Sequence, residues 1–220
     1  MNPVCSRIAI VWLMAVAVIS AAPASSAADS PGEEGWISLF NGKTLQGWKA
    51  SENPEKWVVE DGKLVATGPR SHLFYIGDNE SKPVEFQNFH FKADVMTTPG
   101  SNSGIYFHTR YQVEGWPQIG FEAQVNNTHG DPVKTGSIYH IVKNYVPPAK
   151  DNEWFTEEII VDGQNIVTKV NGKVICDYTE PEGVRGPMEK VNKGTFAFQA
   201  HDPKSTTYYK NILVKPLPAK

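Results

Sequence analysis

The sequence predicts an all-β fold in which two antiparallel sheets pack face to face as a sandwich or jelly roll. Short runs rich in β-branched and aromatic residues recur along the chain, and Gly, Pro, Asn and Asp separate them. No long stretch sustains a helical apolar period, although Pro181–Val191 is compatible with one short turn of helix. About ten strands or more in one domain of this size imply two sheets.

The predicted strands follow one another from Lys56 to Pro216. Two-residue turn signals separate several of them, most clearly Asp61-Gly62, Asp162-Gly163 and Asn171-Gly172. In chain order the strands are Lys56–Glu60, Lys63–Thr67, Phe89–Thr97, Gly104–Tyr111, Gly120–Asn126, Ser137–Val142, Phe155–Val161, Asn165–Val170, Lys173–Tyr178, Thr195–His201 and Thr207–Pro216.

The N-terminal region has the pattern of a secretory signal peptide. Arg7 precedes the apolar run Ile8–Ile19, and the small-residue segment Ser20–Ala28 follows, so we expect cleavage near Ala27 or Ala28. The apolar run is short for a bilayer, which needs about 20 residues, although a retained anchor is the alternative. The sequence thus predicts a signal peptide over 1–28, a flexible leader over 29–35, one domain over 36–220, and a periplasmic or extracellular location without a membrane span.

The charge balance and the cysteines exclude several classes of protein. Without residues 1–28, which contain only Arg7 among charged residues, 20 basic and 24 acidic side chains give a net charge of −4. This mild acidity without a basic stripe argues against nucleic acid as a partner. Only Cys176 remains, so an intramolecular disulfide is impossible. The chain contains no phosphate-binding or dinucleotide-binding motif, so no nucleotide or redox cofactor is expected.

The strands also predict a surface rich in planar hydrogen-bonding groups. Side chains alternate across a strand, so each strand divides into an apolar face and a second face. If four of the strands share one sheet, these second faces converge, and their donors and acceptors suit sugar hydroxyls, with Tyr106 able to stack on a sugar ring. The alternative is a solvated outer face that happens to contain histidines. The residues concerned are His90, Lys92 and Asp94; Tyr106, His108 and Arg110; Glu122, Gln124 and Asn126; and Gln199 and His201.

Several sequence blocks, in the same order, resemble the 3-keto-disaccharide hydrolase family between Trp36 and Leu217. The resemblance implies a concanavalin A-like jelly roll, a ligand site on the concave sheet and a substrate glycoside oxidised at C3. The chain departs from the family pattern at His108, where Arg is frequent, and at Asp202, where Gly usually follows the histidine. The blocks are Leu39–Leu45 with Gly47-Trp48, Trp57 with Asp61-Gly62, Asn102–Phe107 with Arg110, Gly120–Gln124, Gly136–Tyr139, Asn152–Trp154, Asn171-Gly172, Phe198–His201 and Tyr209–Ile212.

The chemistry of such a substrate assigns roles to particular side chains. A ketone at C3 acidifies the hydrogen on C2, which allows the oxygen on C1 to be eliminated, and water then adds to the unsaturated product. The reaction needs a base, a group that stabilises the enolate oxygen and a proton donor. Glu122 is the first candidate for the base or a metal ligand, His201 and His108 are candidates for acid, base or ligand, and Arg110 for holding the enolate oxygen. Five residues are expected to orient the sugar: Asn102, Tyr106, Gln124, Tyr139 and Gln199.

Structural alternatives accompany these roles. The alternative for Glu122 is a salt bridge to Arg110 or Lys92, and the alternative for Arg110 is a pair with Glu122 or Asp94. The histidines can be ordinary hydrogen-bonded residues, and Asn102 can be a turn residue. One divalent metal ion held by Glu122 and His201 would stabilise the enolate. An upstream sugar 3-oxidoreductase would have to supply the ketone. The alternative functions are a non-catalytic, lectin-like carbohydrate-binding module and an interaction domain of the cell envelope.

Overall fold

The computed structural model describes residues 34–182 and 192–218, which form an all-β domain. A 3₁₀ turn at Pro54–Lys56 is the only helical element within these ranges. The strands are β1 (Ile37–Ser38), β2 (Trp48–Ala50), β3 (Trp57–Glu60), β4 (Lys63–Thr67), β5 (Ser71–Tyr75), β6 (Phe89–Thr97), β7 (Ser103–Thr109), β8 (Phe121–Val125), β9 (Phe155–Asp162), β10 (Asn165–Val170), β11 (Lys173–Thr179), β12 (Thr195–Ala200) and β13 (Thr206–Pro216).

The strands form two antiparallel sheets, which confirms the predicted sandwich. The larger sheet has the order β11-β10-β9-β6-β13-β4-β3, and β1 pairs with β13 beside it. The smaller sheet has the order β2-β5-β12-β7-β8. Neighbours that are distant in sequence, such as β6 with β13 and β5 with β12, require the chain to cross repeatedly between the sheets.

Aromatic side chains from both sheets fill the space between them. Phe89 and Phe91 point inward from β6 and are fully buried, as the alternating pattern predicts. They meet Phe196 of the smaller sheet, whose ring centroid lies 4.6 Å from that of Phe91. With its inner face committed to this core, the smaller sheet has one face left on which a site can form.

The structure removes one predicted strand and adds three others. Ser137–Val142 is a turn rather than a strand, because Ile138 makes only isolated bridges, to Ala123 and to Val142. The short strands β1, β2 and β5 were not predicted. β5 is buried on both faces over Ser71–Phe74, so its sequence lacks the alternation by which a half-exposed strand is recognised.

The polar face of β6 does not join the other three predicted faces, because β6 belongs to the larger sheet. There His90 lies 2.7 Å from the Glu158 carboxylate, and the Lys92 ammonium lies over the ring of Trp36. The candidate surface is therefore built by the smaller sheet without β6.

The predicted signal peptide, most of the leader and the helical turn predicted within Pro181–Val191 lie outside the described residues, apart from Glu34, Gly35 and the first two residues of that turn. Within the two described ranges, no helix is long and apolar enough to cross a bilayer.

Candidate active site

A pocket of about 330 Å³ opens on the outer face of the smaller sheet. This volume lies at the lower end of the range for small-molecule sites. Seven of the nine predicted site residues line it, and they come from β7, β8, β12 and the adjoining loops. The lining residues are Asn102, Tyr106, Trp116, Pro117, Gln118, Glu122, Gln124, Tyr139, His140, Gln199 and His201.

Strand register explains why these side chains meet. Tyr106 of β7 lies directly opposite Glu122 of β8, and Gly104 lies opposite Gln124. Because side chains two residues apart share a face, Glu122 and Gln124 point the same way. β12 pairs with the other edge of β7 and places Gln199 beside them. The predicted convergence of these polar residues on one surface is therefore correct for β7, β8 and β12.

Gly104 makes room for the acidic group at the centre of this surface. A Cβ atom at position 104 would collide with the Glu122 carboxylate, whose Oε1 is the nearest atom. The glycine therefore lets the carboxylate lie flat across the neighbouring strand.

Glu122 is a buried carboxyl group held by polar neighbours. Its side chain is 5% exposed, and Gln199 Nε2 donates a hydrogen bond to its Oε1 over 3.1 Å. The Tyr106 hydroxyl also bonds to this carboxyl group, and Gln199 Nε2 lies 2.9 Å from that hydroxyl. Burial raises the pKa of Glu122 to about 8, although both hydrogen bonds oppose the shift. At pH 7 the carboxyl group is therefore mostly protonated.

The ion pairs considered as alternatives for Glu122 do not form. Lys92 lies on the other sheet, and the Arg110 side chain is 3.6 Å from the Glu85 carboxylate. A carboxyl group without a cationic partner among the described residues has no evident role in stabilising the fold, since burying it is costly. Its position on the pocket wall points instead to a role in the site.

A second hydrogen-bonded pair lies next to Glu122. Gln124 Nε2 donates to Asn102 Oδ1 over 2.7 Å, and both side chains are almost completely buried. Asn102 is thus part of the pocket as well as of the loop that precedes β7. Beside Glu122, whose backbone carbonyl oxygen accepts a hydrogen bond from the Tyr139 N–H, Tyr139 donates its hydroxyl hydrogen to Asp131 Oδ2, and burial followed by this bond raises the pKa of Tyr139 to about 12. These groups present fixed donors and acceptors to a polar molecule.

His201 lies at the edge of the pocket in a group of three residues that could hold a metal ion. The candidate ligand atoms of His129, His201 and Asp202 all lie within 4.8 Å of one another. His201 Nδ1 is 2.9 Å from Asp202 Oδ2, and His129 Nε2 is 3.9 Å from the same oxygen. Glu122, which the sequence analysis paired with His201 as a metal ligand, does not belong to this group.

Two predicted residues, His108 and Arg110, lie outside the pocket. His108 has a positive φ of 51°, and the pairing between β7 and β12 shifts register nearby, between Thr195 and Ala197. Such an irregularity reverses the alternation of the residues that follow it. The His108 ring consequently packs against Phe89, and its Nε2 lies 2.8 Å from the Gln87 carbonyl oxygen. Arg110 follows on a half-exposed surface beside Glu85. The expected meeting of Glu122, Arg110 and His201 is therefore wrong for Arg110.

Two residues that the sequence did not indicate belong to the surroundings of the site: Trp116 lines the pocket, and His72 packs against the lining residues without lining the pocket itself. His72 of β5 lies opposite Gln199, is completely buried and packs against Tyr106. Burial lowers the pKa of His72 to about 3, so its ring is neutral. Trp116 covers His72 with a ring separation of 5.5 Å. Neither residue carries a periodic signal, because β5 is buried on both faces and Trp116 lies in a loop.

The Trp116 loop is held firmly beside the pocket. The Arg70 guanidinium lies 5.3 Å from the centre of the Trp116 ring and forms a 2.7 Å bond with the Glu52 carboxylate. Glu52 also accepts a hydrogen bond from the Gly115 backbone, which ties the loop to the sheet. Trp116 remains 39% exposed, so it offers an apolar ring at the pocket entrance.

Solved structures support the fold. A proposed glycosyl hydrolase from Parabacteroides distasonis ATCC 8503 superposes with a TM-score of 0.69 at 23% identity, over 84% of this chain and 95% of that one. The carbohydrate-binding module CBM66 from Bacillus subtilis superposes with a TM-score of 0.53 at 11% identity, over 77% of this chain and 96% of that one. At these identities the similarity shows the architecture alone.

Sequence comparison goes further. A protein of Bacteroides thetaiotaomicron named 3-keto-disaccharide hydrolase is 30% identical over an alignment of 171 residues, and the match covers 66% of this chain and 59% of that protein. The chain thus spans less than two thirds of the length of this relative. The model of the 3-keto-alpha-glucoside-1,2-lyase-like domain matches residues 35–215, which is nearly the whole of the predicted domain. The chain therefore belongs to the 3-keto-alpha-glucoside-1,2-lyase-like family.

Proposed function

We propose that the protein cleaves glycosides that carry a ketone at C3, by elimination across C1 and C2 followed by addition of water. Membership of the family supports this reaction class, and so does the name of the relative from B. thetaiotaomicron. The observation that carries the proposal is the buried, neutral Glu122 on the wall of a pocket lined by amide, phenol and imidazole groups.

The elimination creates an enolate, so negative charge develops mainly on the oxygen at C3, and this oxygen needs the most stabilisation. A pre-oriented donor in a site of low dielectric provides it, because the donor does not have to reorganise as the charge forms. A carboxylic acid that stays neutral at pH 7 is such a donor. The Glu122 carboxyl group already accepts hydrogen bonds from Gln199 and Tyr106, so its own hydrogen is free for a ligand in the pocket.

The base for the C2 hydrogen is then His201 rather than Glu122. Glu122 was the first candidate from the sequence, but a carboxyl group with a pKa of about 8 holds its proton at pH 7. His201 faces the same pocket, and its Nδ1 is engaged by Asp202, which leaves Nε2 for the substrate. His201 takes the C2 proton and delivers it to the departing oxygen of C1, so the electrons of the C2–H bond become the new double bond as the C1–O bond breaks.

The remaining polar groups orient the sugar. Asn102, Gln124 and Tyr139 carry donors and acceptors within the same pocket, and their positions are fixed by bonds to one another or to Asp131. Correct orientation of the C2–H bond towards His201 and of the C3 oxygen towards Glu122 lowers the entropic barrier of the reaction. An oxidoreductase acting on C3 must supply the substrate, and we place both activities outside the cytoplasm.

The experiment is the release of nitrophenol from a nitrophenyl 3-keto-glucoside by the purified protein. We expect turnover by the wild type, little turnover by Glu122→Ala, and wild-type turnover by Glu158→Gln, a matched change on the outer face of the other sheet. Tight binding of the sugar without release of nitrophenol would favour a lectin-like module instead. Turnover that survives both Glu122→Ala and His201→Ala would contradict the proposed site.

A further inference from the structure

Asp202 directly follows His201, and its carboxylate takes part in three hydrogen bonds. Its Oδ2 lies 2.9 Å from His201 Nδ1 and accepts a hydrogen bond from the Ser205 hydroxyl over 2.7 Å, while Oδ1 accepts one from the Lys204 backbone N–H over 2.9 Å. Burial tends to raise the pKa of Asp202, but the bonds from Ser205, His201 and Lys204 outweigh it and hold that pKa below its usual value. Asp202 is therefore an ionised acceptor at neutral pH.

This environment determines which nitrogen of His201 carries the hydrogen. An ionised carboxylate can only accept hydrogen bonds, so the hydrogen between the two groups belongs to His201 Nδ1. In the neutral ring, Nε2 then has a free lone pair. His201 lines the pocket, so this nitrogen is the one available to a substrate.

The hydrogen bonds of His129 are also consistent with an ionised Asp202 carboxylate. Its Nδ1 accepts a hydrogen bond from the Asp131 backbone N–H over 3.1 Å, which leaves the ring hydrogen on Nε2. This Nε2 lies 3.9 Å from Asp202 Oδ2. A metal ion bound by the same three residues would require His129 Nε2 to lose its hydrogen and the bond from Asp131 to break. The observed hydrogen bonds thus favour a group organised around the Asp202 carboxylate.

We propose that Asp202 is a positioning residue that holds His201 in its Nδ1–H tautomer and thereby presents Nε2 to the substrate. The catalytic consequence rests on the proposed function, whereas the tautomer itself does not. Asp202 does not line the pocket, so its removal should act on the chemical step and leave substrate binding largely intact.

The isosteric variant Asp202→Asn provides the sharpest test. With its amide oxygen retained on the Lys204 N–H, the new NH₂ group faces His201 Nδ1 as a donor, so His201 must adopt the Nε2–H tautomer. We expect kcat to fall by roughly 10²–10⁴-fold, the usual range for general acid–base catalysis, with KM changed by less than about threefold. Lys204→Ala, in the same turn, is the control, because only its backbone contacts Asp202.

Nitrogen NMR of ¹⁵N-histidine-labelled protein reports the tautomer without any substrate. We expect Nδ1–H at His201 in the wild type and in Lys204→Ala, and Nε2–H in Asp202→Asn, with thermal stability measured alongside to confirm folding. A wild-type Nε2–H tautomer, or an unchanged kcat in a folded Asp202→Asn variant, would overturn the proposal. So would a stoichiometric metal ion in the purified protein that His129→Ala and Asp202→Asn both lose. If the wild type has no turnover but shows the Nδ1–H tautomer, the proposed function fails and the assignment of the tautomer stands.

Discussion

Replacement of Glu122 by Gln should stabilise the protein at neutral pH, even though Glu122 is central to the proposed chemistry. In the unfolded chain this carboxyl group ionises with a pKa of 4.5, whereas burial raises the pKa in the folded protein to about 8. Between these values the folded state holds a proton that the unfolded state has released. Stability associated with Glu122 is therefore fully present below pH 4.5 and is lost as the pH rises towards 8.

The size of the effect follows from this difference. Each pH unit between the two pKa values costs about 1.4 kcal/mol, so from pH 5 to pH 7.5 the wild type loses roughly 3 kcal/mol through Glu122. Gln has no ionisable proton, its amide oxygen still accepts from Tyr106 and Gln199, and its NH₂ group takes the place of the carboxyl hydrogen. We expect the difference in unfolding free energy between Glu122→Gln and wild type to grow by roughly this amount over the same interval.

Urea unfolding at pH 5 and pH 7.5 measures this difference directly. Glu157 makes the same pH-dependent contribution to the unfolding free energy of both proteins, so this contribution cancels in the comparison. Glu60→Gln, at an exposed position of β3, is the matched control and should show no comparable growth. A difference that does not change with pH, or a Gln variant less stable than wild type at pH 7.5, would refute the argument that Glu122 is buried in its neutral form.

Three further predictions concern other parts of the chain. Glu157 points into the core and is fully buried, and burial raises its pKa well above the usual value; Glu157→Leu should therefore raise the urea midpoint, more strongly at pH 8 than at pH 5. Trp116→Ala should raise KM for a disaccharide about tenfold, or about 1.4 kcal/mol, with less effect on an alkyl 3-keto-glucoside, because the exposed ring can pack against the second sugar; equal effects on both substrates would contradict this. Mass spectrometry of the exported protein should find an N-terminus within a residue or two of Asp29, whereas an intact N-terminus in the envelope fraction would indicate a retained anchor.

The sequence predicted the part of the pocket that lies on regular strands. Four lining residues follow the alternation of β7, β8 and β12, so their positions in the sequence place each of them on the second face of its strand: Tyr106, Glu122, Gln124 and Gln199. The apolar residues between them form the core for the same reason. Only the adjacency of the three strands required the structure.

The assignment of side chains to faces by their alternation was wrong where the backbone departs from a regular strand. His108 has a positive φ, which a non-glycine residue adopts infrequently and which the sequence does not reveal. Beyond it, the faces of β7 exchange, so His108 and Arg110 leave the pocket. His72 was missed for a different reason, since β5 is buried on both faces and has no polar alternation. Trp116 and His129 lie in loops, whose paths depend on tertiary contacts such as the bond between Glu52 and Gly115.

The pH dependence of kcat/KM on a chromogenic 3-keto-glucoside tests the central claim, that protonated Glu122 stabilises the enolate. We predict that kcat/KM of the wild type falls above a pH of about 8, as the carboxyl group loses its proton. Glu122→Gln, which retains a donor, should have lower activity without this fall. A wild-type kcat/KM that instead rises up to pH 8 and then stays level would show that ionised Glu122 acts as the base, and would contradict the account.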